Sequence, residues 1–148
     1  MENLVYVPKT KRIQCYNCHN YIRFVKGDLT MNRITFLGTG TSQGMPMIGC
    51  RCPVCSSKDP RDKRLRASAL VEYEGLRILI DAGPDFRQQM LRADIRHLDA
   101  VFFTHNHKDH TAGLDDIRAF NYIQKAPTDI YAEAYVQASL RQEYAYIF

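Results

Sequence analysis

The chain has 148 residues, 45% apolar and 24% charged, a balance that suits one domain with its own core and argues against disorder through its body. No run of about 18 apolar residues occurs, so no transmembrane helix is expected, and the opening Met1–Arg12 does not read as a secretory signal; a cytoplasmic protein with no membrane partner is expected. The net charge is +4, but residues 1–30 hold five Lys/Arg against two Asp/Glu while the rest is nearly balanced, so no nucleic-acid binding is expected of the body.

Residues 1–30 carry no long periodic segment and end at Gly27-Asp28; they read as a leader or a mis-assigned start, with Met31 as an alternative initiator and 31–148 as the domain. Within them, Cys15-x-x-Cys18-His19 has the spacing of a c-type haem attachment, a chemistry that requires export, and no function is assigned to it. Ile34–Leu37 is a short strand of β-favouring residues, followed by the Gly-rich loop Gly38–Gly44. Residues 49–66 form a loop, first cysteine-bearing and then basic. Ala67–Tyr73 and Leu76–Ile80 flank Glu74-Gly75 as a β-hairpin. Pro84–Arg92 reads as a helix with Asp85 near its N-terminus, and Ala100–Thr104 as a buried apolar strand. Gly113–Ala126 reads as one helix with Leu114, Ile117, Phe120, Tyr122 and Ile123 as its apolar positions. Thr128–Ala132 is a further strand and Ala134–Ile147 a further amphipathic helix. A βαβα order usually returns to the sheet, so the chain is expected to be the front part of a longer domain.

The strongest chemical signal is Thr104-His105-Asn106-His107-Lys108-Asp109-His110, directly after the apolar strand, with three histidines and one aspartate within six residues. Imidazole suits zinc, iron and manganese, and carboxylate suits harder ions. His105 and His107 point the same way if strand geometry persists briefly. Asp109 and His110 then sit on the turn that enters the next helix, so the run could serve two neighbouring ions, one per pair. A catalytic zinc takes about three protein ligands and a water, and a two-metal site takes more, so these four residues do not complete one. Neither His19 nor His97 stands at a strand end on that face.

Cys50-x-Cys52-x-x-Cys55 supplies three thiolates in six residues. Cytosolic thiols stay reduced, so a tight cluster points to metal rather than to disulfides. A structural zinc there takes a fourth ligand from elsewhere. The basic run Arg61–Arg66 is a solvated loop or an aid to holding phosphate. Asp115 and Asp116 favour a helix N-terminus over ligation.

The His105-x-His107-x-Asp109-His110 run after a strand resembles the signature of the metallo-β-lactamase fold superfamily, and Ile78-Leu79-Ile80-Asp81-Ala82-Gly83 is similar to its strand-ending Asp-x-Gly motif. Gly38-Thr39-Gly40-Thr41-Ser42-Gln43-Gly44-x-Pro46 with the cysteine loop narrows the likeness to the PhnP-like cyclic phosphodiesterase branch, over residues 31–148, about the first half of such a protein. The resemblance implies an α+β fold, the first half of an αββα sandwich. It implies two divalent ions (manganese or zinc) at the catalytic site and one structural zinc at Cys50, Cys52 and Cys55. The fourth zinc ligand would be a histidine beyond Phe148, and the remaining catalytic ligands would also lie later. Asp109 is then a metal ligand at the reacting centre. Asp81 supports the metal loop by hydrogen bonds without ligating. The implied activity is a metal-dependent phosphodiesterase, in which a metal-bridging hydroxide attacks a small, cyclic phosphate ester; a homodimer is allowed. The alternatives are a thioester or lactone hydrolase, or a cofactor-biosynthesis relative, on the same fold, and a truncated, non-catalytic zinc-binding fragment.

Overall fold

A computed structural model describes residues 22–24 and 32–148; the Cys15-Cys18-His19 cluster lies outside them. Its strands are β1 (Ile22–Phe24), β2 (Asn32–Gly38), β3 (Ser68–Tyr73), β4 (Leu76–Ile80), β5 (Ala100–Phe103) and β6 (Asp129–Ala132). Its helices are α1 (Phe86–Arg92), α2 (Lys108–Thr111), α3 (Arg118–Gln124) and α4 (Ala134–Glu143). β1 falls within the 1–30 segment that the sequence sets apart.

The β3–β4 hairpin forms where the sequence places it. Tyr73 pairs with Leu76, and Glu74 and Gly75 turn the chain at φ 49° and 86°, the left-handed backbone that a two-residue turn requires. The six strands form one sheet in sequence order, antiparallel from β1 to β4 and parallel from β4 to β6. β2, β4 and β5 therefore run the same way. Their C-terminal ends share one edge of the sheet, and the Gly-rich loop, the Asp81 turn and the histidine run all leave from that edge.

Alternate side chains of each strand face opposite sides of the sheet. Leu70, Leu79 and Val101 are register neighbours on one face and are fully buried. They join Leu37 and Phe103 under a helical layer that supplies Phe86, Met90, Leu114, Ile117, Phe120, Val136 and Leu140. This is an α+β arrangement, one sheet with helices on one face, and among the described residues no second sheet covers the other face. Phe102 lies there, 39% exposed and stacked on Tyr131 with ring centroids 4.7 Å apart. The expectation of a buried apolar strand over Ala100–Thr104 is corrected at that position.

The segment after the histidine run also differs from the expected single helix. Gly113 is wedged so tightly that a Cβ there would meet Gly83 O at 2.4 Å and Phe86 Cβ at 2.5 Å. The chain leaves this point as a 3-10 turn, Leu114–Ile117, before α3 begins. In a 3-10 turn residues three apart eclipse, so Leu114, Ile117 and Phe120 all face inward. Tyr122 and Ile123 on α3 are 80% and 67% exposed, where the sequence had them on the apolar face. α3 ends at Lys125 in the left-handed conformation. α4 stops at Glu143, short of Ile147. Asp85 stands at the N-cap of α1 but makes no side-chain cap bond. Its carboxylate instead takes the Arg66 backbone N–H at 2.8 Å and the Arg66 guanidinium at 3.0 Å.

Candidate metal centre

β5 delivers the chain to Thr104, and the run from His105 curls into α2, a single helical turn. Donor atoms of His105, His107 and Asp109 all lie within 4.8 Å of one another, about the spread of ligands around one ion with bonds of about 2.0–2.2 Å. The His105 and His107 rings meet edge to face at 4.7 Å, and the His110 ring lies 4.0 Å from that of His105. His110 Nε2 sits 3.1 Å from Asp109 Oδ2. Asp109 thus lies beside both the His105–His107 pair and His110.

Asp81 organises this group from below. It is 5% exposed and holds φ 61° just past β4, a backbone that Asp tolerates better than most residues. Oδ1 accepts the Thr104 N–H at 2.8 Å, and Oδ2 accepts the Thr104 hydroxyl at 2.8 Å and His110 Nδ1 at 2.7 Å. Thr104 Oγ1 in turn lies 2.9 Å from His105 Nδ1. One consistent chain of donors follows: His105 Nδ1–H to Thr104, Thr104 O–H to Asp81, and His110 Nδ1–H to Asp81. That assignment leaves Nε2 of both histidines as the free donor to an ion. Two backbone bonds, Ala82 N to His110 O and Gly113 N to Ala82 O, both 2.8 Å, tie the same turn to the loop. Gly83 sits so close that a Cβ there would meet Asp109 O at 2.0 Å. The sequence places Thr104 before the first histidine without giving it a role; the structure sets it between Asp81 and His105.

Cys50, Cys52 and Cys55 also converge, their sulfurs within 4.8 Å, and all three are free thiols. The Cys55 backbone N–H faces Cys52 Sγ at 3.4 Å and, with the neighbouring sulfurs, holds the Cys52 thiol below its ordinary value. For Cys55 the Met47 backbone favours the thiolate, but the Cys50 and Cys52 sulfurs and burial outweigh it and push the thiol up. Three soft donors on one short loop suit a zinc ion that takes a fourth ligand.

Several of the remaining candidates have partners of their own. Arg61 pairs with Asp59, and Arg66 with Asp85 and the Ser42 carbonyl. Asp115 pairs with Arg118 at 2.8 Å, and His97 with Asp99 at 2.9 Å. No helix of the described residues is long and apolar enough to cross a membrane.

Residues 76–148, which hold β4, Asp81 and the histidine run, match the model of the β-lactamase superfamily domain. An octanoyltransferase of Porphyromonas gingivalis is 50% identical over 117 residues, 78% of this chain and 23% of that protein. Coenzyme PQQ synthesis protein B of Methylobacterium nodulans is 36% identical over 96 residues, 55% of this chain and 32% of the relative. Among solved structures, a diphosphatase from the PhnP family matches with a TM-score of 0.73 at 47% identity, over 78% of this chain and 46% of that one. Zinc-bound PqqB from Methylobacterium extorquens matches with a TM-score of 0.62 at 29% identity, over 74% and 40%. The chain thus spans from 23% to 46% of the length of these proteins.

Proposed function

We propose that this chain, which belongs to the metallo-β-lactamase fold superfamily, carries the metal-binding edge of a hydrolase acting on a small phosphate ester or diphosphate. The observation that carries this reading is the donor set of His105, His107 and Asp109, with His110 alongside, braced by a buried carboxylate that does not join it. The likeness to a PhnP-family diphosphatase supports phosphorus as the reacting centre. Imidazole with carboxylate suits zinc or manganese, and the zinc-bound PqqB structure supports a divalent ion. Divalent ions at such a centre supply a water nucleophile at neutral pH and positive charge against the developing phosphoryl oxygens.

The chain's own residues do the positioning. Asp81 and Thr104 fix the ring orientation of His110 and His105, and the Gly83 contact holds the backbone of Asp109 against the sheet. The cysteine loop is a separate structural zinc site in this reading, its three sulfurs joined by a fourth protein ligand that closes the tetrahedron.

A second reading, cleavage of an acyl thioester at the same centre, draws on the identity with an octanoyltransferase, although the match covers 23% of that protein. The two separate on substrate. The purified chain loaded with Mn²⁺ or Zn²⁺ is offered bis-p-nitrophenyl phosphate and an acyl thioester. Diester turnover that disappears in His107→Ala supports the phosphoesterase; thioester turnover without diester turnover overturns it.

A further inference from the structure

Within the run His105–Thr111 the residues divide by direction. His105, His107, Asp109 and His110 gather toward the candidate centre, while Asn106, Lys108 and Thr111 all reach the C-terminal part of the last helix. Asn106 Nδ2 donates to Ser139 Oγ at 3.3 Å. Lys108 Nζ pairs with Glu143 and lies 5.1 Å over the Tyr144 ring. The Tyr144 hydroxyl donates to the Thr111 carbonyl at 3.3 Å, and the Thr111 hydroxyl donates to the His107 carbonyl at 3.1 Å.

The partners on α4 are ordered in the same way. Ser139 and Glu143 are four residues apart, so they share one helix face a turn apart. Val136 and Leu140, on the adjoining row, are 0% and 1% exposed and anchor the helix in the core. Contacts at sequence separations of 33 to 35 arise from tertiary packing. α2, at four residues, is too short to hold its own shape. Asp81 and Ala82 hold it from the sheet side, and the far side is left to α4.

From this we infer that Ser139, Glu143 and Tyr144 of α4 are positioning residues for the metal centre. They fix the residues between and directly after the ligands, and so the spacing of the ligands, without touching an ion. The inference rests on the metal-centre reading above. The exposed Lys108–Glu143 pair contributes little to global stability, the other two contacts are single part-buried hydrogen bonds, and Tyr144→Phe keeps the ring, so their removal should register in ligand geometry more than in unfolding.

The test uses Co²⁺ alone as the probe, titrated into the full chain and followed by visible absorption, where histidine–carboxylate and thiolate coordination give different bands. In the Ser139→Ala/Glu143→Gln/Tyr144→Phe variant, Co²⁺ affinity of the histidine site should fall about tenfold, the size expected when ligand-orienting partners are lost. Its band shape should change, while the thiolate band and the urea midpoint stay as in wild type. Should the triple variant not fold, Glu143→Lys with Lys108→Glu is compared with each single change, and the paired swap is expected to restore affinity. Wild-type affinity and spectrum in the triple variant, or single changes that do not differ from wild type, would overturn the brace. A wild-type chain with no histidine-type band would overturn the metal centre itself and the brace with it.

Discussion

Replacing Asp81 by Asn changes one functional group and keeps the shape. Asn tolerates the left-handed backbone at φ 61° as Asp does, so backbone strain stays constant. The amide oxygen still accepts the Thr104 N–H, now bound at 2.8 Å. At the other position an NH₂ group replaces Oδ2, which accepts both the Thr104 hydroxyl at 2.8 Å and His110 Nδ1 at 2.7 Å. Donor then faces donor twice. Hydrogen bonds to a charged acceptor are worth about 1.5–3 kcal/mol each; because exposed Thr104 can turn to water, the expected net loss is about 2–4 kcal/mol. His110 must take its other tautomer or rotate, so metal affinity should fall about 10- to 100-fold. Urea unfolding followed by circular dichroism, needed because the chain has no tryptophan, measures the first quantity. Chelator competition measures the second. A stability change under about 0.5 kcal/mol together with unchanged affinity would refute the role assigned to Asp81.

Other perturbations report on other parts. Gly83→Ala places a Cβ 2.0 Å from Asp109 O, so the loop must shift; a loss of about 3 kcal/mol and weaker metal binding are expected, and wild-type stability in urea would show that the close approach is unimportant. Burial disfavours the ionised Asp99, but the Arg77 N–H at 2.6 Å and His97 at 2.9 Å outweigh it and hold its pKa below the ordinary value. A lowered folded pKa contributes stability that is present above the unfolded value of about 3.9 and is lost as pH falls through the folded one. Asp99→Asn should therefore cost most near neutrality and progressively less toward acid, and an equal cost at both ends of a pH series of urea melts would contradict this. Adding Zn²⁺ to the reduced chain should withdraw Cys50, Cys52 and Cys55 from reaction with a thiol reagent, with occupancy falling as the pH is lowered because the ligands must be thiolates. Full thiol reactivity with zinc present would rule out that site.

Much of this architecture was legible in the residues. The hairpin at Glu74-Gly75, the strand before Thr104 and the clustered donors follow from patterns within a few residues of one another, and the structure brings each cluster together. Non-local packing hid the rest. Nothing near Gly113 reveals that Gly83 and Phe86 press on it, at the point where a 3-10 turn replaces the start of the expected helix. Asp85 looks like a cap, but Arg66, 19 residues earlier, takes its carboxylate. Thr104 carries no signal of its own; its role emerges only when β4 and β5 lie side by side and set Asp81 beneath it. Similarly, Ser139 and Glu143 read as ordinary helix residues until the histidine run packs beside them.

The central claim is that the histidine run binds a divalent ion. Elemental mass spectrometry on the purified chain and on the His105→Ala/His107→Ala variant tests it directly, because the cysteine loop is intact in both and serves as an internal reference. Manganese or zinc above the cysteine-bound amount in wild type, lost from the variant, is the expected result. Equal metal content in the two proteins would contradict the claim.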